Sequence, residues 1–314
     1  MTVHHSLAIA VICGGPSAEA DVSRSTANGI VKALQENYQH VHLVELNHET
    51  DKILRELRPD VIFPAVHGKW GEDGTLQGLL TICGLPFVGS DVEATVLAMN
   101  KILAKQIFQL NGLPVAKSLV IHQHQFSKNK IGEIFEVLGR QVVIKPACEG
   151  SGLGISFADN PTAALEGLEH AFSYGHRVLV EERIIGAEIT AAVLENTTLE
   201  ALPVIEIKTP PGTWYDFKHR YTPGLSEHLL PAPLPPQQYK RVQEIAVRAH
   251  QALGCRDLSR ADFVVPNNGE PILLEVNTIP GMTPTSLFPD AAKAAGISFP
   301  ALVSLLVERA AARK

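Results

Sequence analysis

The sequence predicts an α/β protein whose N-terminal part is a parallel sheet with helices on its faces. Two observations predict it. The first roughly 90 residues run strand, helix, strand, helix, strand, the order that crossovers between parallel neighbours require. Two glycine-bearing stretches, Gly14-Gly15 and His67-Gly68, directly follow predicted strands. In such sheets ligands bind at the carboxyl ends of the strands.

The elements follow in order. Residues 7–13 are a short apolar run ending at Gly14-Gly15-Pro16, and Val22, Ile30, Val31 and Leu34 then recur at helical spacing. Residues 40–46 alternate as a strand, 53–57 read as a helix and 60–66 as a buried strand. Residues 97–110 (LAMNKILAKQIFQL) read as one helix, stopped by Asn111-Gly112 with Pro114 beyond. Strands follow near 118–121, 141–145 and 177–181. Between them 161–172 is helical, because Pro161 suits a first turn and Ala163, Leu165, Leu168 and Phe172 share a face. The last part holds strands at 189–194 and 201–207, a Pro-rich irregular segment from 209 to 236, a helix over 237–253 and a hairpin near 260–277. No internal repeat or low-complexity tail is present.

Composition narrows the function. At roughly 150 residues per domain, 314 residues make about two domains, with one or three also allowed. Hydrophobic residues at 45% support a sizeable core, and charged residues at 19% argue against disorder. The net charge of −6 argues against a sequence-independent nucleic-acid binder, which needs a basic face, but allows a local basic pocket for an anion. The apolar runs fall far short of the ~20 residues of a membrane span. The N-terminus has no basic start and no small-residue cleavage site, so no signal peptide is expected. Cys13, Cys83, Cys148 and Cys255 are widely spaced. A disulfide framework or zinc site is not expected, and a reducing cytoplasm fits.

The hairpin carries the sharpest chemistry. Asn268-Gly269 is the favoured dipeptide of a two-residue turn. With that turn, counting back pairs Val265 with Ile272 and Phe263 with Leu274 on an apolar face. The other face then pairs Asp262 with Glu275 and Arg260 with Asn277. Two carboxylates directly opposite repel unless a cation lies between them. With Asn277 they form an oxygen-rich set suited to Mg²⁺ or Mn²⁺, which with few protein ligands also takes substrate phosphates. Arg260 pairing with one carboxylate on a solvated face is the alternative.

A second signal is VVIK at 142–145, an apolar strand ending in Lys145, followed by PACEGSGLG. Gly150, Gly152 and Gly154 would let backbone N–H groups approach a phosphate, with Ser151 adding a hydroxyl and Lys145 a charge. The stretch matches neither the phosphate loop of nucleoside triphosphatases nor a dinucleotide fingerprint, and alone it also fits a plain hairpin turn. A third strand, 178–182, ends in Glu181-Glu182, with Glu188 following. These acids fit helix caps, or a linker that hydrogen-bonds a nucleobase and ribose.

Together these features resemble the ATP-grasp fold, and the resemblance goes further. GGPSAE (14–19) with Val22-Ser23, HGKWGEDGTLQG (67–78), KPACEGSGLG (145–154), YDFKHRY (215–221) and LEVNTIPGMTPTSL (274–287) resemble the D-alanine–D-alanine ligases in order and spacing, over essentially the whole chain. The resemblance implies an N-terminal α/β parallel-sheet domain (1–89) followed by a two-lobed ATP-grasp fold, with a central lobe (90–180) and a C-terminal lobe (181–314). It implies ATP between those two lobes, two Mg²⁺ or Mn²⁺ ions, D-alanine as substrate, a cytoplasmic homodimer and a role in peptidoglycan synthesis. Asp262, Glu275 and Asn277 match metal ligands. Lys101 and Lys145 match phosphate-contacting lysines, and Glu181 and Glu188 match the residues that read adenine and ribose. The backbone of Ile184 lies on the adenine edge, and Trp214 stands where an aromatic packs on the base. Glu19 matches the residue that holds the first ammonium, with Ser151 and Tyr221 as its hydrogen-bonded partners and His67 nearby. Arg260 and the Gly281 N–H match the oxyanion donors, and Ser286 and Leu287 match the pocket for the second carboxylate. Segment 209–228 matches a mobile lid.

Four positions depart from the family pattern. Gly152 replaces a second serine, and Cys148 stands where a polar or basic residue is common. Arg220 replaces the lysine before the loop tyrosine, keeping charge for phosphate but changing reach. Phe217 replaces a frequent tyrosine. A D-alanine–D-lactate ligase is the nearest rival, and Tyr221 favours the D-alanine form. Another carboxylate–amine ligase of this fold is a further rival. A dinucleotide oxidoreductase would need a third glycine after Cys13 at the fingerprint spacing, which is lacking. A non-catalytic nucleotide binder would have lost a ligand or the arginine, and all four residues are present.

Overall fold

The computed structural model describes residues 6–222, 224–283 and 286–313. The N-terminal stretch 1–5, Pro223 of the expected lid, and Pro284 and Thr285 of the last motif lie outside the described residues.

The N-terminal unit comprises β1 (Ala8–Gly14), α1 (Ala20–Leu34), β2 (His40–Leu46), α2 (Thr50–Leu57), β3 (Val61–Pro64) and α3 (Thr75–Ile82). Its strands are parallel in the order β2-β1-β3, as the alternation predicts. Successive side chains of β1 point to opposite faces. Ile9 and Val11 join Ile30 and Leu34 of α1 in one core, whereas Ala10 and Ile12 join Leu54, Leu76 and Leu80 in another. Both faces are thus covered, which a parallel sheet requires.

The central unit begins with α4 (Val92–Met99) and α5 (Lys101–Leu110). The single helix expected over 97–110 is in fact two. Asn100 is extended (φ −85°, ψ 96°), and its side-chain oxygen accepts from the N–H groups of Ile102 and Leu103. That cap restarts the chain and places Lys101 on the first turn of α5. Next come β4 (Ser118–His122), α6 (Ile131–Leu138), β5 (Val142–Pro146), β6 (Ser156–Ala158), α7 (Pro161–Phe172) and β7 (Arg177–Glu182). The strands form an antiparallel sheet, β4-β7-β5-β6, whose Val142, Ile144, Val178 and Val180 pack on Ile134 and Leu168 of the two helices.

The rest comprises β8 (Ala187–Glu195), β9 (Leu199–Ala201), β10 (Ile205–Lys208), α8 (Phe217–Tyr221), β11 (Glu227–Leu229), α9 (Pro236–Ala252), β12 (Leu258–Val265), β13 (Ile272–Asn277), α10 (Leu287–Ala294) and α11 (Phe299–Ala311). The sheet runs β11-β10-β8-β12-β13, with β9 also on β8. The strand expected at 201–207 is split at Pro203, which has no N–H for the ladder. The irregular segment 209–236 contains α8 and β11; Asp216 caps α8 by accepting from the N–H of His219 at 2.9 Å. The C-terminal helices fold back, so that Leu302, Val303 and Leu306 share the core of Ile9 and Val11. No single helix among the described residues is long and apolar enough to cross a membrane.

The hairpin corrects one expectation and upholds another. Arg260 pairs with Asn277 and Asp262 with Glu275, as counted. Beyond Asp262 the register slips: Phe263 faces Leu273 and Val264 faces Ile272, leaving Leu274 as the extra residue of a β-bulge. Neither Asn268 nor Gly269 takes a positive φ; the loop turns through Pro266, whose carbonyl accepts from the Gly269 N–H at 3.3 Å. The bulge sends Leu273 into the core in place of Leu274, which lines the cleft instead.

Candidate active site

A cleft of about 300 Å³ opens between the central antiparallel sheet and the C-terminal sheet. Lys145 and Glu181 reach it from β5 and β7, and Ile184 from the linker after β7. Glu188 enters from β8, Asp262 and Glu275 from the hairpin, and Trp214 and Arg220 from the lid segment. Burial raises the Glu188 carboxyl, with Arg220 opposing the shift. The Arg220 guanidinium stands 4.6 Å from the centre of the Tyr215 ring and donates to the Tyr215 carbonyl at 3.0 Å.

At the metal-type end, flanking cations offset the repulsion between the facing carboxylates. Lys101 Nζ lies 3.1 Å from Glu275 Oε2 and also donates to the Glu149 carbonyl of the glycine loop at 2.5 Å. Arg260 grips Asp262 with two bonds, at 2.8 and 2.7 Å, while Thr190 donates to Asp262 at 2.7 Å and Asn277 at 3.1 Å. Burial works against the Glu275 charge, but Lys101, Arg220 and Lys145 hold its pKa at about 2. No group of three or more His, Cys, Asp or Glu converges among the described residues. The donors are two carboxylates facing each other and an amide oxygen on one strand end. Such a hard, incomplete set fits a Mg²⁺ ion that takes its remaining ligands from phosphate and water.

At the other end three separate elements meet. Glu19, buried at the N-cap position of α1, accepts hydrogen bonds from the hydroxyls of Ser151 and Tyr221, the latter at 2.9 Å. The two hydroxyls are 2.8 Å apart. Tyr221 thus ties the end of α8 to the glycine loop. Ser151 sits at φ +51° and Gly152 at +75°. A Cβ on Gly152 would stand 3.0 Å from the Trp214 ring, so the departure from serine gives that ring its seat. His67 is buried beside this cluster, 3.3 Å from Thr26 Oγ1, and burial lowers its pKa despite Glu19. A second cavity of about 470 Å³ is lined by Arg220, Tyr221, Arg260, Gly281, Ser286 and Leu287. Ser286 accepts from the Thr283 N–H at 3.0 Å and stands at the N-terminus of α10.

Two buried ionisable residues behind the cleft were not singled out from the sequence. Lys105 is buried on α5 and ion-paired to Glu181, whose other oxygen Lys145 takes. Its signal was there: Ile102, Lys105 and Phe108 form one buried stripe with a lysine at its middle. Glu72 sits in the 67–78 motif and accepts from the Gly68 N–H at 2.7 Å; burial, then Glu19, raises its pKa to about 8.

The fold and this cleft are those of the ATP-grasp ligases. A model of the D-ala D-ala ligase C-terminus matches residues 107–308, and one of the D-ala D-ala ligase N-terminus matches residues 47–90. A D-alanine--D-alanine ligase of Halalkalibacterium halodurans is 44% identical over 302 residues, 95% of this chain and 97% of that one. One of Desulforamulus reducens is 42% identical, covering 97% and 99%. Among solved structures, the D-alanine--D-alanine ligase from Bacillus anthracis complexed with ATP aligns with a TM-score of 0.83 at 29% identity, over 98% of each chain. The D-alanyl-alanine synthetase A of Vibrio cholerae aligns at 0.87 and 27%, over 98% and 99%. The chain belongs to the D-alanine–D-alanine ligase family.

Proposed function

We propose that this chain joins two D-alanines into D-alanyl-D-alanine with ATP, releasing ADP and phosphate, for peptidoglycan precursors. It works as a cytoplasmic homodimer, with lobes at 1–89, 90–180 and 181–314. The observation that carries the reading is the closed Glu19–Ser151–Tyr221 triangle beside the carboxylate hairpin, since a passive nucleotide binder needs no such enclosure.

A free carboxylate resists an amine, because addition would pile charge on an anion. Phosphoryl transfer from ATP to the first D-alanine's carboxylate removes that barrier by forming an acyl phosphate. Lys145 and Lys101 hold phosphate oxygens, with Arg220 and the glycine loop beside them. Ile184, Glu181 and Trp214 receive the base, and Glu188 the ribose. Asp262, Glu275 and Asn277 would hold two Mg²⁺ or Mn²⁺ ions, which supply charge neutralisation to the phosphates. Glu19 binds the first ammonium, with His67 behind it. Tyr221, its phenol pushed up by burial and by Glu19, stays protonated and donates. The closed lid keeps water from the acyl phosphate. The second D-alanine's carboxylate rests at the N-terminus of α10, on Ser286 and Leu287. As its amine attacks, Arg260 and the Gly281 N–H receive the oxyanion, and phosphate departs.

Phosphate release from ATP and Mg²⁺ tests this with D-alanine, L-alanine, or D-alanine plus D-lactate, the products being identified by mass. D-Alanyl-D-alanine made from the D-isomer alone is expected. A depsipeptide as main product would move the chain to the lactate-type rival.

A further inference from the structure

We infer that Lys105 is a positioning residue for purine selection: its ion pair keeps Glu181 an acceptor-only carboxylate, which favours a base bearing an exocyclic amine. The inference rests on the reading of Glu181 as the base-facing acid.

Lys105 lies one helical turn beyond Lys101 and is 6% exposed; Glu181, at the end of β7, is 4% exposed. Charges so buried persist only when paired. Lys105 meets one carboxylate oxygen and Lys145 the other. Glu181 has lone pairs left on both oxygens, enough to accept from a base amine. The two lysines are not equivalent. Lys145 lines the cleft, where a bound phosphate would compete with Glu181 for its ammonium, whereas Lys105 does not line the cleft. Among the described residues, Glu181 is the only carboxylate within ion-pair distance of Lys105. Burial lowers the Lys105 pKa and its contact with Glu181 opposes that shift; when nucleotide draws Lys145 away, Lys105 is the cation left in contact with Glu181. Burial alone would push the Glu181 carboxyl up, yet Lys145 and then Lys105 hold it below the ordinary range. A protonated Glu181 could donate to the 6-oxo group of guanine; an ionised one can only accept, which suits the amine of adenine.

Calorimetric binding of MgATP and MgGTP tests this without turnover. The proteins are wild type, Lys105→Met, Lys105→Arg, Glu181→Gln and the Lys105→Met/Glu181→Gln double variant. Loss of a charge-supported hydrogen bond should weaken ATP binding about tenfold in Lys105→Met and narrow the ATP-to-GTP ratio by about as much. Lys105→Arg, which keeps the charge, should keep the wild-type ratio. In the Glu181→Gln background, Lys105→Met should change nothing further. An unchanged ratio in Lys105→Met, or additive effects in the double variant, overturns the inference. If Lys105→Met alone does not fold, the double variant against Glu181→Gln decides, since it leaves no lone buried charge. A wild type that binds ATP and GTP alike overturns this inference only; one that binds neither overturns the ligase reading.

Discussion

The Tyr221 hydroxyl donates to Oε1 of Glu19 across 2.9 Å, although 202 residues separate the two in sequence. Together with Ser151 this bond joins α8, the glycine loop and the start of α1 at the proposed first-substrate position. Tyr221→Phe removes the donor and keeps the ring packing on Phe217, 4.9 Å away. A hydrogen bond to a charged group is worth about 1.5–3 kcal/mol, so kcat/KM for dipeptide should fall about ten- to a hundredfold. ATP affinity should hold. Phosphate release should then exceed dipeptide formed, because the acyl phosphate meets water; a ratio still at unity would contradict the lid role.

Glu275→Ala removes one hairpin carboxylate and leaves Lys101 without its anion. ATP-dependent turnover should drop by about a thousandfold or more, several kcal/mol of charge stabilisation. Circular dichroism should show the fold intact. Turnover near that of the parent would remove Glu275 from the metal set.

Gly152→Ser restores the residue usual in the family but places a side chain at φ +75° against the Trp214 ring. A left-handed position costs a non-glycine residue about 1–2 kcal/mol. The lid should seat less well, raising the KM for ATP severalfold and changing Trp214 fluorescence. Unchanged kinetics and emission would mean that the glycine loop can turn without glycine here.

Glu72, with its pKa raised to about 8, is neutral in the folded protein at pH 7 and ionised in the unfolded chain. The folded state binds the extra proton, so this group's stabilising contribution is full below about pH 4.3 and is lost as pH rises toward 8. Glu72→Gln keeps an acceptor for the Gly68 N–H but cannot ionise. Its Tm should therefore fall less than the parent's between pH 5 and 8. Parallel Tm curves would contradict the raised pKa.

Legibility in the sequence followed the range of the interactions. The N-terminal alternation and the Asp262–Glu275 pairing were readable because period and register are local. The bulge after Asp262 was not, since the turn through Pro266 does not use the Asn268-Gly269 geometry that the dipeptide favours. The break at Asn100 hid because the apolar pattern runs on through it, and only the cap geometry interrupts the helix. Lys105 hid because its partner lies 76 residues away. The Glu19–Ser151–Tyr221 triangle came from family resemblance alone, because no spacing joins residues in three separate elements.

The central claim is that the first D-alanine is activated as an acyl phosphate. Turnover with D-alanine labelled with ¹⁸O at both carboxylate oxygens tests it most directly, with phosphate and dipeptide weighed by mass spectrometry. One ¹⁸O is expected in each phosphate released, because the oxygen that attacks ATP leaves with the phosphoryl group. Unlabelled phosphate formed alongside dipeptide would contradict it.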